Sequence, residues 1–360
     1  MFVINKKIIR FLVFAAIVIL LFTVLTLCGC GGRDKIQLKV FHADSLTIPF
    51  QEIEKQFELK YPNVDVQLDG HGSIQVIRAV TELHEDVDVA TVADSQLIPL
   101  LMYNTQIAED KGPFARWYID FAGNTLGIAY TDRSPYASEI NADNWYEILT
   151  RPDVKVGLAD ARIDSLGYRV LMAVQLAESY YRDDTIFERF FDGAFTMPLD
   201  VSYADGAALI KVPQLYKSEK ENIVLRGYSL QLLGLIESGD IDYTFEYESV
   251  SRQHNLNFLT LPAEFNMSSQ EYDAYYQKVD VVLDFQRFAS VNPKFRGAPI
   301  VYGVTIPENA LHPEEAIDFI RFLFGPDGQK VLTDNYQPFL VPPEANNAAN
   351  VPNDIMQLIK

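Results

Sequence analysis

The stretch that most constrains the fold of this chain is Leu38–Phe57, where a strand pattern passes directly into a helix pattern. Apolar residues alternate across Ile36–Val40, small polar residues follow, and apolar residues then recur at helical spacing across Phe50–Phe57. Ser45 stands where the N-cap of the helix is expected. Such a junction directs the free backbone N–H groups of the first helical turn, and a hydroxyl, beyond the carboxyl end of the strand. The pattern predicts a place that holds an anion.

The same arrangement recurs along the next part of the chain. Val64–Leu68 alternates as a strand, a tight polar turn ends at Ser73, and Ile74–Leu83 has helical spacing. Val87–Val92 is a third strand. Alternating strands and helices indicate an α/β fold with mostly parallel sheets and a ligand crevice at the carboxyl ends of the strands. Ser45 and Ser73 are therefore expected to meet at one edge.

A second lobe is predicted to begin where Trp117–Thr131 forms a strand pair broken at Gly123-Asn124. In that lobe a loop leads into a helix over Tyr168–Tyr181, with Asp164 and Ser165 at its beginning. The predicted lobe I is discontinuous, residues 36–118 and 249–345, lobe II is 119–248, and 346–360 is an irregular tail.

The last elements of lobe II and the return to lobe I are also predicted from the pattern. A helix opens at Ser229 and is closed by Gly239, and Ile241–Tyr247 is a strand, after which the chain soon recrosses. A strand over Val301–Ile306 and a helix over Glu314–Phe324 follow, and the chain from Val341 onward is expected to be irregular.

The first thirty residues are typical of an export signal and are excluded from the fold. Three basic residues precede the apolar run Phe11–Leu25, and Leu27-Cys28-Gly29-Cys30 closes it. This order is that of a bacterial lipoprotein signal, with Cys30 as the acylated residue. An uncleaved membrane anchor is the alternative. Both interpretations place the rest of the chain on the outer side of the inner membrane.

Composition limits how the remaining 330 or so residues bind a partner. Both cysteines of the chain lie in the leading segment, so the exported part forms no disulfide. The formal net charge of −19 becomes −22 when the three basic residues of that segment are removed. Such a surface repels nucleic acid and anionic lipid. Any anion must therefore be held locally by dipoles and neutral donors.

Several short motifs together resemble one known family. They are His42–Leu46, Gly72-Ser73, Asn144–Leu149, Arg151–Val154, Asp164–Arg169, Glu237–Gly239 and Asp242–Tyr247. In this order and spacing, from about Leu38 to about Leu332, they resemble the tungstate- and molybdate-binding lipoproteins of ABC importers, archaeal-type branch. The resemblance implies a two-lobed periplasmic binding protein fold of type II. Its lobes would close on a tetrahedral oxyanion and deliver it to a permease driven by an ATPase.

The resemblance also implies a set of ligand-binding residues. They are Ser45, Leu46, Ser73, Asp164, Ser165, Leu166, Ser229 and Tyr247. Two positions depart from the family pattern: Ser165-Leu166 replaces a Pro-Cys pair, and Ser229 stands where the family has a glutamate, eighteen positions before Tyr247. In the family that glutamate and the aspartate complete six-coordination of the metal centre.

The loss of this glutamate leaves alternatives open. A four-coordinate oxyanion that is held by hydrogen bonds alone is then favoured. The selection of tungstate or molybdate over sulfate or phosphate is no longer assured. Three roles are open for Asp164: it ligates the metal centre, it accepts a hydrogen bond from a protonated oxyanion, or it only caps its helix. Tyr247 alternatively packs a lobe face. Arg162 and Arg169, near the loop before the helix, either help to hold a dianion or pair with acids on an exposed helix face.

Other residues have simpler interpretations. His42, His71 and His84 lack zinc-ligand spacing and are expected to be surface or supporting residues. The period-two acids Glu246 and Glu248 are typical of a solvated strand face.

Three function classes follow. The first is the extracytoplasmic, lipid-anchored solute-binding component of an ABC transporter, capturing tungstate or molybdate, or alternatively sulfate, phosphate or a small carboxylate. It would be a monomer with permease and ATPase partners, with no cofactor, no nucleic acid, and no metal beyond that of the oxyanion. The second is an exported ester hydrolase with Ser45 or Ser165 as nucleophile, but the sequence lacks the usual nucleophile and phosphate-loop motifs, so we expect no enzyme. The third is a tethered sensor or adhesin subunit.

Overall fold

The computed structural model describes residues 35–204, 206–288 and 291–359. The predicted signal segment, with Cys30, lies outside the described residues. Gln37–Lys360 forms one compact unit. Its strands are β1 (Ile36–Ala43), β2 (Val64–His71), β3 (Val89–Val92), β4 (Tyr118–Gly123), β5 (Leu126–Tyr130), β6 (Val156–Ala159), β7 (Asp200–Ala204), β8 (Ala207–Val212), β9 (Ile223–Arg226), β10 (Tyr243–Tyr247), β11 (Asn257–Thr260), β12 (Val279–Leu283), β13 (Lys294–Arg296), β14 (Val301–Thr305) and β15 (Phe339–Asn346).

Helices separate most of these strands, as the alternating pattern predicts. They are α1 (Thr47–Lys60), α2 (Ser73–Thr81), α3 (Trp145–Leu149), α4 (Ser165–Tyr181), α5 (Ile186–Phe191), α6 (Leu230–Ser238), α7 (Glu248–Gln253), α8 (Asp273–Tyr276), α9 (Pro313–Phe324), α10 (Pro326–Asp334) and α11 (Asn353–Met356). The predicted face of α1 is buried: Phe50, Ile53 and Phe57 have no exposed surface. Burial of each such side chain contributes about 1.5–3 kcal/mol to stability.

The strands form three sheets. Their orders are β15-β4-β14-β3-β1-β2 in the first sheet, β11-β5-β10-β6-β9 in the second, and β13-β12-β8-β7 in the third. Parallel pairing joins β1 to β3, β10 to β6, β6 to β9, and β12 to β8. Antiparallel pairing joins β14 to both β3 and β4, and β5 to both β10 and β11. The sheets are therefore mixed rather than mostly parallel. In the first sheet β14, which follows a strand of the third sheet, runs antiparallel to both of its neighbours, and in the second sheet β5, which follows a strand of the first, does the same.

The chain passes from the first sheet to the second between β4 and β5, through Asn124 and Thr125. The side chain of Asn124 fixes this passage by donating to Ser249 Oγ (2.8 Å) and to the phenol oxygen of Tyr302 (3.0 Å). The chain leaves the second sheet later than predicted, because β11, which follows Tyr247, still pairs with β5 in that sheet. Sheet membership does not define which residues move as one body, so the predicted lobe boundaries stay predictions.

Two parts of the chain were not predicted to be regular. The third sheet was not predicted; its edge strand β7 is mostly exposed and shows no alternation of apolar and polar faces, whereas β8 does alternate. The prediction of an irregular chain from Val341 is wrong, since β15 pairs with β4 at the edge of the first sheet. Beyond it Val351 and Ile355 are buried, so an apolar anchor holds the last residues described.

Candidate functional site

Ser45 lies in a 3₁₀ turn, Asp44–Leu46, between β1 and α1. It is buried, and its Oγ lies 2.8 Å from the phenol oxygen of Tyr302 in β14. The N-cap of α1 is Leu46, which makes no side-chain cap bond. The prediction that Ser45 caps this helix is therefore wrong, because the turn displaces it. Its hydroxyl instead faces the interior, while the buried Leu46 has only backbone groups to offer a ligand.

Two helix starts meet beside the end of β3. Ser73 begins α2, and its hydroxyl accepts a hydrogen bond of 2.9 Å from the N–H of Ala93. Ser165 begins α4 and donates to Ser73 Oγ over 3.4 Å. Gly72 permits this approach, because a Cβ there would lie 2.7 Å from the carbonyl oxygen of Ile163. Ser73, which follows a strand of the first sheet, thus contacts Ser165, which follows a strand of the second sheet.

Tyr247 ends β10 and contacts a buried cation. Its phenol oxygen accepts a hydrogen bond of 2.7 Å from Nη1 of Arg169, which also donates to the carbonyl oxygen of Ala93 (2.8 Å). Nη2 of Arg169 lies 3.6 Å from the Asp94 carboxylate, which accepts a 2.5 Å bond from Tyr168. Arg169 is 3% exposed, so its interpretation as an exposed helix residue is wrong.

The protonation states of these groups follow from their surroundings. Burial opposes the charge of Arg169, but the neighbouring phenols and the Asp94 carboxylate outweigh it, and the pKa of Arg169 is raised. Burial raises the pKa of Tyr247 even though Arg169 acts against it. Burial also raises the pKa of Tyr302. Both phenols keep their protons at neutral pH and can donate to an anion.

Asp164 joins the starts of two helices. Its Oδ1 accepts from the N–H of Leu166 (3.0 Å), which makes it the N-cap of α4 and confirms the cap interpretation. Its Oδ2 accepts from the N–H of Ser229 (3.1 Å). The backbone N–H groups of Leu166 and Ser229, two residues of the predicted ligand-binding set, are therefore engaged within the protein.

Two further buried acids lie next to Ser229, and neither was predicted. Asp44 Oδ2 accepts from Ser229 Oγ (3.3 Å) and from the N–H of Leu230 (3.1 Å). Glu246 Oε1 accepts from the N–H of Tyr247 (2.7 Å), whereas its buried Oε2 has no hydrogen-bond partner in the described part of the chain. The prediction of a solvated strand face is wrong for Glu246, because β10 lies inside the second sheet and is buried throughout.

Close packing of these acids makes their ionisation unfavourable. Burial raises the pKa of Asp44 to about 6. Burial, and then the charge of Asp44, raises the pKa of Asp164 well above its ordinary value. The same two causes, in the same order, raise the pKa of Glu246. We call the carboxyl groups of Asp44, Asp164 and Glu246 the acid group.

The predicted serines and the tyrosine form a second set of polar atoms at the same junction. We call the hydroxyls of Ser45, Ser73, Ser165 and Tyr247 the donor group. Tyr302 connects its members, because its phenol contacts Ser45 and its ring lies 6.4 Å from that of Tyr247. Two of the hydroxyls belong to the first turns of α2 and α4, whose dipoles favour negative charge. Chemically, this set suits a small oxyanion.

A separate cavity of about 630 Å³ is lined by Asp94 together with residues such as Gln96, Lys294 and Arg296. It is far larger than a tetrahedral oxyanion needs, and members of the donor group do not line it. We do not assign it to the ligand.

The histidines were expected to be surface or supporting residues. His42 is buried, its Nδ1 lies 2.9 Å from the carbonyl oxygen of Ala43, and burial lowers its pKa to about 4.

Among the residues that the structure describes, no group of three or more His, Cys, Asp or Glu side chains is placed to hold a metal ion. Nor does any helix of the described ranges have the length and apolarity to cross a membrane.

With this geometry in view, comparison with known proteins decides the family. Residues 38–336 match the family described as bacterial extracellular solute-binding protein. The chain belongs to this family. The family is one of solute-binding proteins rather than of enzymes, so the hydrolase alternative is not favoured.

Relatives of the solute-binding family cover nearly the whole chain. An uncharacterized solute-binding protein of Methanococcus maripaludis is 36% identical over 99% of both chains. The molybdate/tungstate-binding protein WtpA of Pyrococcus abyssi is 36% identical, over 95% of this chain and 96% of that one. WtpA of Thermococcus kodakarensis is 38% identical, over 91% and 89%. The resemblance predicted from the motifs is confirmed.

Solved structures of other solute-binding proteins share the fold. The periplasmic molybdate-binding protein of Azotobacter vinelandii has a TM-score of 0.51 at 15% identity, covering 83% of this chain and 98% of that one. The sulfate-binding protein SubI of Mycobacterium tuberculosis has a TM-score of 0.52 at 13% identity, covering 84% and 87%. The predicted two-lobed α/β fold class is confirmed.

Proposed function

We propose that this chain is the extracytoplasmic solute-binding component of an ABC transporter and captures tungstate or molybdate. The observation that carries the proposal is the donor group, in which hydroxyls that follow different sheets meet at one buried junction. The names of the relatives from Pyrococcus abyssi and Thermococcus kodakarensis support this choice of anion.

The charge distribution favours a local mode of anion binding. The chain carries a formal net charge of −19, so long-range attraction does not bring an anion to it. At the donor group the anion would meet neutral hydroxyls, two helix N-termini and the guanidinium of Arg169, which is already bonded to Tyr247. Hydrogen bonds to a charged partner contribute about 1.5–3 kcal/mol each. A few such bonds are sufficient for tight binding.

The transport setting completes the proposal. Cys30 would carry the lipid anchor, the protein would act as a monomer without enzymatic activity, and a permease with its ATPase would receive the anion. The two mixed sheets would form the cores of the two lobes, with boundaries near residues 118 and 248. Lobe closure would bring Gly72 against Ile163, as their close approach suggests, and the closed form would be the one that the permease recognises.

Isothermal titration calorimetry with a panel of anions tests this function. The panel is tungstate, molybdate, sulfate, phosphate and a small carboxylate, each titrated into the purified protein. We expect tungstate to bind at least about tenfold more tightly than sulfate, a difference of about 1.4 kcal/mol. Equal affinities for sulfate and tungstate would remove the metal-oxyanion assignment. Absence of heat with every anion would remove the oxyanion site itself.

A further inference from the structure

Three arginines lie around the contact between α2 and the loop that precedes α4. The loop meets the helix where the N–H of Gln75 donates to the carbonyl oxygen of Ile163 (3.3 Å). Arg162 precedes Ile163 in the loop, and Arg78 of α2 donates to the side chain of Gln75 (3.2 Å). Burial lowers the pKa of Arg287, and the charges of Arg78 and Arg162 lower it further, so the three guanidinium groups are neighbours. We call these residues the arginine cluster.

The arginine cluster carries more positive charge than its surroundings neutralise. Asp160 is the acid that acts on Arg287, and its carboxylate is already bonded to Arg162 (2.5 Å). The guanidinium of Arg78 donates to the neutral amide of Gln75. Within the described ranges, the Nε atoms of Arg78 and Arg287 are buried and have no hydrogen-bond partner. Buried donors are normally matched by an acceptor, so these two point to a ligand that supplies one.

The overall composition makes this cluster unusual. The chain has 49 acidic and 30 basic residues, yet three arginines gather here around one aspartate. Guanidinium groups hold oxyanions well, because their planar N–H donors match pairs of oxygen atoms. All three arginines are half-buried, which makes salt screen their charges less than those of fully exposed side chains. The ligand class that suits the cluster is therefore a small oxyanion.

The arginine cluster and the donor group lie along the same contact. Ser73 begins α2 and is buried, and Arg78 follows it by five residues, about 7.5 Å along a helix. Ser165 likewise begins α4 three positions after Arg162. The half-buried arginines thus lie close to the buried hydroxyls but nearer the surface. In a chain of net charge −19, they supply the local positive field that an approaching anion needs.

We propose that the arginine cluster is a second, outer anion-binding site, at which the oxyanion binds before it reaches the donor group. This inference rests on the proposed function. It goes beyond that function by assigning the capture step to residues outside the donor group.

NMR of the arginine Nε–H groups, in protein labelled with ¹⁵N-arginine, detects the outer site in the unaltered chain. Titration with tungstate should shift the resonances of Arg78 and Arg287, which the single variants Arg78→Met and Arg287→Met assign. The same shifts should persist when Ser45→Ala and Ser73→Ala are combined, because that variant weakens only the donor group. Resonances of Arg78 and Arg287 that do not move with tungstate would overturn the inference.

Stopped-flow measurement of tungstate association, followed by intrinsic fluorescence, tests the capture step. With Arg78→Met and Arg287→Met combined, we expect association at low salt to slow by at least about tenfold and dissociation to be unchanged. The matched control combines Arg252→Met and Arg321→Met, which removes two charges from exposed pairs with acids of their own helices. Its association rate should stay within about twofold of the unaltered rate, because exposed charges are screened.

Two kinetic outcomes would overturn the inference. Equal slowing in both combined variants would show that net charge alone sets the association rate. A loss of affinity that lies entirely in faster dissociation would show that the arginines stabilise the bound state rather than capture the anion. By contrast, absence of calorimetric binding of every anion by the unaltered protein would overturn the proposed function, and this inference with it.

Discussion

The donor group and the acid group occupy one buried junction but have opposite chemistry. The donor group consists of neutral hydroxyls, and Arg169 contacts it through Tyr247. The acid group consists of three carboxyls around Ser229, with one oxygen unpartnered in the described chain. This contrast leads us to assign binding strength and selectivity to separate sets of residues. We expect the donors to hold an oxyanion of any kind and the acids to influence which kind is accepted.

The largest effect is expected when the cation beside the donor group is removed. Arg169→Met leaves the buried Asp94 carboxylate and the carbonyl oxygen of Ala93 without their guanidinium. Loss of one partner from a buried charged pair costs about 3–5 kcal/mol of unfolding free energy. Denaturant unfolding would measure it, and Arg162→Met, at a more exposed ion pair with Asp160, is the comparison. Equal losses in both variants would show that burial of Arg169 has no special importance.

Removal of two donors should reduce the affinity for every anion by a similar factor. Ser45→Ala combined with Ser73→Ala deletes two hydroxyls, each worth about 1.5–3 kcal/mol toward a charged partner. We expect tungstate binding to weaken by at least about a hundredfold, with little change in the tungstate-to-sulfate ratio. Thr81→Val is the control, because this buried hydroxyl bonds to Ile77 at the far end of α2. A changed ratio with a small loss of affinity would break the division between the two groups.

The smallest effect concerns stability without ligand as a function of pH. The pKa of Asp44 and that of Asp120 are each raised by burial to about 6. A raised carboxyl pKa gives stability that is complete below the ordinary value and is lost as pH rises through the raised value. The melting temperature should therefore fall between about pH 4 and pH 7, and less steeply in Asp44→Asn, by an amount equivalent to about 1–3 kcal/mol.

His42 contributes in the opposite direction over much of the same pH range. Burial lowers its pKa to about 4, so its stabilising neutral form is lost as pH falls from about 6.5 toward that value. Asp120→Asn should also reduce the fall between pH 4 and pH 7, yet leave the tungstate-to-sulfate ratio unchanged, since Asp120 lies outside the acid group. A melting temperature that rises steadily from pH 4 to pH 7 would contradict these roles of the buried acids.

The sequence could predict the scaffold of the site because its strand and helix periods are strong. The start of α4 at Ser165, the close of α6 at Gly239 and the crossing near Asn124 were all predicted within a few residues. Ser45 was placed in the site for a wrong local reason, since its turn does not cap α1. Local pattern locates an element better than it locates a hydroxyl.

The acids and the cation were harder to predict. Arg169 had a signal, because a charge within the mostly apolar and buried helix α4 requires buried partners. Glu246, inside the apolar strand β10, had the same signal. Asp44 had none, because its partner Ser229 is 185 positions away and only the folded chain brings them together.

Anomalous scattering from tungsten, measured on crystals of the protein grown with tungstate, would locate the bound anion. We expect one strong peak within hydrogen-bond distance of the hydroxyls of Ser45 and Ser73. A peak in the cavity lined by Asp94, or one remote from both serines, would contradict the proposed site.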